Sequence, residues 1–145
     1  MKREFQQALA DKGRRVAMIE KSDRMYGGTC INIACIPTKT LVHEAKALSG
    51  CAERDFAQKA ADYARAVARK DEVTGFLRQK NLEMLTSRGV AVLTGQASFA
   101  SPHEVEVRFA DGHAEILHGK DIYINTGAYS VIPPIEGLAE SANIY

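Results

Sequence analysis

The sequence has 145 residues, 46% hydrophobic and 26% charged, which is the length and apolar content of one globular domain. Lys plus Arg number 19 against 18 Asp plus Glu, and the formal net charge of +1 argues against a dedicated nucleic-acid or polyanion binder. No run approaches the ~18 apolar residues of a membrane span, and the polar start Met1–Gln7 has no apolar signal core, so the expectation is a cytoplasmic protein with no membrane partner.

Residues 3–12 predict a short amphipathic helix with Phe5, Ala8 and Leu9 on one face, ended by Gly13. Arg15–Glu20 follows as a strand whose apolar centre and charged ends suit a buried parallel position. Helix, glycine turn, strand and acidic residue form the second half of a βαβ unit. Its first strand is missing, so the sequence reads as starting inside a domain. A polar loop over 21–29 ends in Gly27-Gly28-Thr29. Cys30 to about Ser49 then repeats at helical period through Ile33, Leu41, Val42, Ala45 and Leu48, with Gly50 as a stop. A long helix runs from about Arg54 to Ser87 on Phe56, Ala60, Tyr63, Val67, Thr74, Leu77, Asn81 and Leu85, with Gly75 as its weak point.

The last third is richer in strands. Val90–Thr94 is a short apolar strand, and 96–100, 104–109 and 114–118 predict three more, the last two joined by an Asp111-Gly112 hairpin. Asp121–Asn125 is a further β-rich run leading into Thr126-Gly127-Ala128, and Pro133-Pro134 ends regular structure. The order is α-β-α-α-β, a β-meander, then β: an α/β chain with a parallel sheet and an inserted antiparallel meander.

Four residues separate Cys30 from Cys35. On an unbroken helix, residues five apart have Cα atoms roughly 8–9 Å apart, whereas a disulfide needs at most about 7 Å. A bridge therefore requires a distorted helix entrance, which Pro37 suits by pushing Ile36 away from helical geometry. A thiol at a helix N-terminus feels the positive end of the macrodipole, which lowers its pKa and favours a redox role. Two plainer readings stand beside that one. Free cysteines are often small buried hydrophobes. Zinc is the other reading, needing two further ligands from Cys51, His43 or a distant histidine, and no second spaced pair is present. His43, His103, His113 and His118 show no chemical pattern of their own, and Cys51 reads as an incidental thiol.

The stretch Gly27-Gly28-Thr29-Cys30-Ile31-Asn32-Ile33-Ala34-Cys35-Ile36-Pro37-Thr38-Lys39 resembles the redox signature of the flavoprotein disulfide reductases, the pyridine nucleotide-disulfide oxidoreductases. Tyr26, Thr40–Ala45 and Phe76–Asn81 look most like the branch of the reactive-chlorine-resistance and mercuric-reductase-like enzymes. The resemblance covers nearly all of this chain and only part of the family's polypeptide. It implies a partial FAD-binding Rossmann-like domain over 1–145, without the first strand and its Gly-rich turn, the NAD(P)-binding domain and the C-terminal interface domain. One departure is Ala34, where the family usually has glycine.

What the resemblance implies for function is FAD- and NAD(P)H-dependent reduction of a small-molecule disulfide, a thiol-reactive oxidant or a metal ion, in a homodimer. Cys30 matches the interchange thiol that attacks substrate, and Cys35 the charge-transfer thiol against the flavin. Lys39 matches the lysine near flavin N5. Glu20, with Lys21 after it, is placed like the acid that holds the adenosine ribose. Gly28 and Thr29 match residues that offer backbone amides and a hydroxyl to FAD, Gln96 and Ala97 the stretch beside the adenine, and Thr126, Gly127 and Ala128 the turn that approaches the cofactor. Each has an ordinary reading as a strand end, a turn or a solvated lysine. Two competing functions are an inactive truncated remnant and a small metal-binding module built on Cys30, Cys35 and Cys51.

Overall fold

A computed structural model describes residues 2–50, 53–128 and 131–141, so Cys51 lies outside the described residues. Helix α1 (Lys2–Asp11) leads to strand β1 (Ala17–Glu20) and a single 3-10 turn over Asp23–Met25. Two helices follow, α2 (Gly28–Asn32) and α3 (Cys35–Ala47), and then the 31-residue α4 (Phe56–Thr86). Strands β2 (Ala91–Thr94), β3 (Gln96–Ser101), β4 (Glu104–Arg108) and β5 (Ala114–His118) complete the regular structure.

The strands form two sheets. β1 and β2 pair in parallel, with Ala17 opposite Ala91 and Glu20 opposite Thr94. The three helices between them make the crossover that a parallel pair requires. β3, β4 and β5 form an antiparallel meander, with an irregularity between Phe99 and Ser101. The sheets meet at Gly95, whose amide donates to Glu20 O at 3.0 Å. A Cβ there would lie 2.8 Å from both Arg108 O and Val107 Cγ1, so only glycine fits so close an approach.

α4 organises the crossover. Its first turn is closed by a capping box: Asp55 accepts from Gln58 N at 2.8 Å, and Gln58 Oε1 accepts from Asp55 N at 3.1 Å. Its inner stripe reaches a small core in which Leu85 is 2% and Val90 3% exposed. Asp62, Thr74 and Asn81 are also buried on α4. Asp62 is neutralised by ion pairs with Arg54 and, at 2.6 Å, Arg65.

Three sequence expectations fail here. The single helix from Cys30 to Ser49 is two helices, broken at Ile33-Ala34. Phe56 and Tyr63, on the predicted apolar stripe of α4, are 87% and 69% exposed. α3 turns back along α4 and leaves a groove of about 590 Å³ between Leu41, Ala45 and Leu48 on one side and Tyr63 and Ala66 on the other. Asp121–Asn125 is not a strand, and Tyr123 and Ile124 are exposed. A β run forms only against a partner, and β1 and β2 pair only with each other among the described residues.

Leu85 carries much of this core. Leu85→Ala is expected to lower unfolding free energy by about 2–4 kcal/mol, the range for emptying a well-packed leucine site. Urea unfolding followed by far-UV circular dichroism measures it.

Candidate active site

The segment that follows β1 is held by a chain of polar contacts. Glu20, half-buried at the strand's end, accepts from Ser22 N at 3.3 Å. Ser22 caps the 3-10 turn by accepting from Arg24 N at 3.2 Å. Tyr26 is buried, and its hydroxyl is hydrogen-bonded to Thr94 Oγ1 at the far end of β2. The backbone turns sharply at Gly27, where φ is 92° and a Cβ would strike Ile31 Cδ1 at 2.6 Å and approach Asn81 Cγ at 3.2 Å.

α2 is one short turn of helix and cannot hold itself. Asn32, between the two cysteines, fastens it. Its Nδ2 donates to Tyr26 O at 3.1 Å and to Gly28 O at 2.8 Å, and its Oδ1 accepts from Arg78 Nε of α4 at 2.9 Å. The break that follows satisfies its own backbone. Thr29 O accepts from both Ile33 N and Ala34 N at 2.9 Å, and Ala34 O accepts from Thr38 N at 3.1 Å. Ala34 takes φ −111°, so the non-glycine residue at this position carries no left-handed strain. Pro37 lies buried in the first turn of α3, where its missing N–H leaves no helical bond unmade.

Cys30 on α2 and Cys35 at the start of α3 are both free thiols and both exposed. The Cys30 thiol is pushed above its ordinary pKa, first by its hydrogen bond with the Cys35 side chain, then by desolvation and by repulsion from a Cys35 thiolate; Lys39 opposes the shift. Cys30 sits in the middle of a five-residue helix, and the sulfur beside it is the largest cause of its shift, whereas Cys35 stands at the first position of α3.

Several predicted residues meet here. Lys39, one turn along α3 from Cys35, acts on the Cys30 charge. A Cβ on Gly127 would stand 4.0 Å from Thr29 Oγ1, which brings Thr126-Gly127-Ala128 alongside α2. Thr29, Cys30, Cys35, Lys39 and residues 126–128 are all exposed, while Gly28 is half-buried. At the same end of the parallel pair, Gln96 and Ala97 open β3 just beyond Thr94, which faces Glu20 in register. Lys21 is exposed beside Glu20. The holding residues Asn32, Arg78 and Asn81 were missed by pattern reading. Asn81 gives the available signal: an amide on a largely apolar predicted stripe needs a polar neighbour.

The model of the family described as pyridine nucleotide-disulphide oxidoreductase matches residues 3–145. The chain belongs to that family. It is 48% identical over 138 residues to the probable pyridine nucleotide-disulfide oxidoreductase RclA of Escherichia coli, covering 94% of this chain and 28% of RclA. It is 32% identical over 138 residues to the mercuric reductase of Streptomyces lividans, covering 90% of this chain and 29% of that enzyme. The solved Cu(II) complex of the HOCl-induced flavoprotein disulfide reductase RclA superposes with TM-score 0.81 and 42% identity, over 99% of this chain and 29% of that one. The Cu(II) complex of a cysteine-to-serine mutant of RclA superposes with TM-score 0.84 and 44% identity, over 99% of this chain and 30% of that one. This chain therefore spans under a third of RclA and of that mercuric reductase and shares the Rossmann-like flavoprotein disulfide reductase fold, and none of its described helices is long and apolar enough to cross a membrane.

The sign of the Cys30 shift sets a pH test. Cys35→Ala removes the hydrogen bond and the repulsion, so the alkylation midpoint of Cys30 moves to lower pH. Lys39→Met removes the opposing cation and moves it to higher pH. Iodoacetamide labelling of the Cys30 peptide across pH, read by mass spectrometry, gives both midpoints.

Proposed function

We propose that this chain carries the dithiol and flavin-facing part of an FAD-dependent, NAD(P)H-linked reductase of disulfides, thiol-reactive oxidants or metal ions. The observation that supports it is the pair of exposed thiols set against one another across the α2–α3 break, with Lys39 acting on Cys30. The relatives' names point to the same substrate range: RclA is named a disulfide reductase and was solved with Cu(II), and others are mercuric reductases.

The donor set fits FAD. Glu20 is a carboxylate at a strand's end, suited to ribose hydroxyls, with Lys21 beside it. Gly28 and Thr29 offer backbone amides and a hydroxyl to the cofactor. Gln96 and Ala97 pass the adenine, and Thr126, Gly127 and Ala128 give a side-chain-poor surface beside Thr29 on which a flat ring system can lie. FAD when bound supplies the two electrons that reopen the disulfide, drawn from NAD(P)H. Lys39 holds a positive charge beside Cys30 and offsets negative charge developing there.

The thiols perform the substrate half. Cys30 thiolate attacks one sulfur of a disulfide, forming a mixed disulfide and expelling a thiolate that takes up a proton. Cys35 thiolate then attacks the Cys30 sulfur, forming the Cys30–Cys35 bond and releasing the second thiolate, which is protonated in turn. Two electrons and two protons pass to the substrate. A soft metal ion would instead be held by both thiolates before taking the electrons. The metal-module alternative needs Cys51, which lies outside the described residues; among the described residues no group of three or more His, Cys, Asp or Glu is placed to hold a metal ion.

Mild oxidation of the chain with oxidised glutathione is expected to join Cys30 to Cys35, seen in peptide mapping as a linked pair lighter by two hydrogens. Added FAD is expected to lose fluorescence on binding and to shield Cys35 from alkylation. A chain that forms no such bridge and takes up no FAD is the inactive remnant instead.

A further inference from the structure

The cysteine segment has a conformational choice. Its apolar residues repeat at helical period from Cys30 to Ser49, yet the structure breaks it at Ile33-Ala34. Pro37 explains why a break exists: in one continuous helix its ring would collide with the carbonyl of Ile33 and leave that carbonyl without a donor. Pro37 does not fix the direction in which α2 leaves the break. A five-residue helix is too short to be stable alone, so its placement comes from outside the segment.

That outside contact is specific. Arg78 is half-buried on α4, and its Nε reaches across 46 positions of sequence to Asn32 Oδ1 at 2.9 Å. Asn32 passes the restraint on, since its Nδ2 grips Gly28 O and Tyr26 O at the two ends of the glycine turn. Tyr26 is in turn tied to Thr94 on the parallel sheet. One guanidinium thus joins the long helix, the glycine turn and the sheet through the residue lying between the two cysteines. The groups that shift the Cys30 charge are Cys35 and Lys39, and Arg78 is not among them, so its part is geometric.

We propose that Arg78, acting through Asn32, is a positioning residue for the dithiol, holding α2 so that the Cys30 sulfur stays against that of Cys35. This rests on the dithiol reading above. Without the restraint α2 frays or swings, and the thiols spend most of their time apart. The pair then loses effective concentration, which is what an intramolecular disulfide depends on.

The test equilibrates the 145-residue chain in reduced and oxidised glutathione, traps thiols by alkylation, and reads the Cys30–Cys35 effective concentration by mass spectrometry. Arg78→Met is expected to lower it by about tenfold or more, and Arg78→Lys, which keeps a donor on a long stem, to restore most of the loss. Asn32→Leu should match Arg78→Met, and the double variant should be no worse than Asn32→Leu alone, because coupled residues are not additive. Leu85→Ala, which weakens the core two turns along α4 from Arg78 without removing the Arg78–Asn32 bond, should leave the value unchanged. If Arg78→Met fails to fold, Arg78→Lys against Asn32→Leu decides. A bridge that forms in the unmodified chain with the same effective concentration in all variants overturns the clamp and leaves the dithiol reading standing. An equal loss in Leu85→Ala also overturns it, by reducing Arg78 to a general stabiliser. No bridge in the unmodified chain overturns the dithiol reading and the clamp with it.

Discussion

Two sulfurs five positions apart cannot meet on a regular helix, because roughly 8–9 Å separates their Cα atoms there. The chain resolves this by ending one helix and starting another between them. Such a break normally strands backbone groups, and here few are stranded. Thr29 O takes two amides, Ala34 O takes Thr38 N, and Pro37 stands where an amide would have had no partner. The interruption is therefore a built feature, and the residues around it follow from the need to hold it. Gly27 turns the chain into α2, Asn32 bonds across the turn, and Arg78 and Asn81 come from α4 to meet them.

The same need explains why the buried stripe of α4 is so polar. A helix serving only as core would place leucine and valine along that face. This one buries Asp62, Thr74 and Asn81 beside Ala66 and Leu85. Asn81 returns one hydrogen bond to its own helix, Nδ2 to Leu77 O at 2.6 Å, and sets its carboxamide against Gly27. Asp62 is surrounded by Arg54 and Arg65, which hold its carboxyl below the usual carboxylate range; the Arg54 hydrogen bond is the largest cause, and it outweighs desolvation. Because that pKa is depressed, the stabilisation from this pair is present above the ordinary carboxylate pKa and is lost as pH falls through the lowered one. The polar stripe trades packing for fixed orientation. Apolar packing concentrates where α4 meets β2, and at Val105 and Val107 in the meander.

Local patterning made most elements legible. The long helical period of α4, the Gly13 and Gly89 stops, the apolar Val90–Thr94 run and the Asp-Gly hairpin each rest on interactions within a few residues, and each appears within a residue or three of its predicted limits. The failures are non-local. Asp121–Asn125 has strand composition without a partner strand, and Phe56 and Tyr63 keep helical period where α3 no longer covers them. At the site, Cys30, Cys35 and Lys39 are legible as a motif, and Thr29 and Gly127, both expected beside the cofactor, adjoin in the structure. Arg78 and Asn32 were illegible together because 46 positions separate them, and neither is unusual in its own window.

In the proposed reaction, the electrostatics of the pair would divide the labour between the sulfurs. A raised pKa shrinks the thiolate fraction of Cys30, which in the proposed reaction would slow its attack. Intrinsic nucleophilicity rises with pKa, with a Brønsted slope of about 0.4–0.5, so each Cys30 thiolate that does form is the stronger attacker. Lys39 moves the balance back by favouring that thiolate. The hydrogen bond that raises Cys30 is also the contact along which the proposed sulfur–sulfur bond would form. On that proposal, the geometry that makes the thiol less acidic is the geometry in which a disulfide would close. Loss of Cys35 would give Cys30 a larger thiolate fraction and leave it with no sulfur to resolve its mixed disulfide.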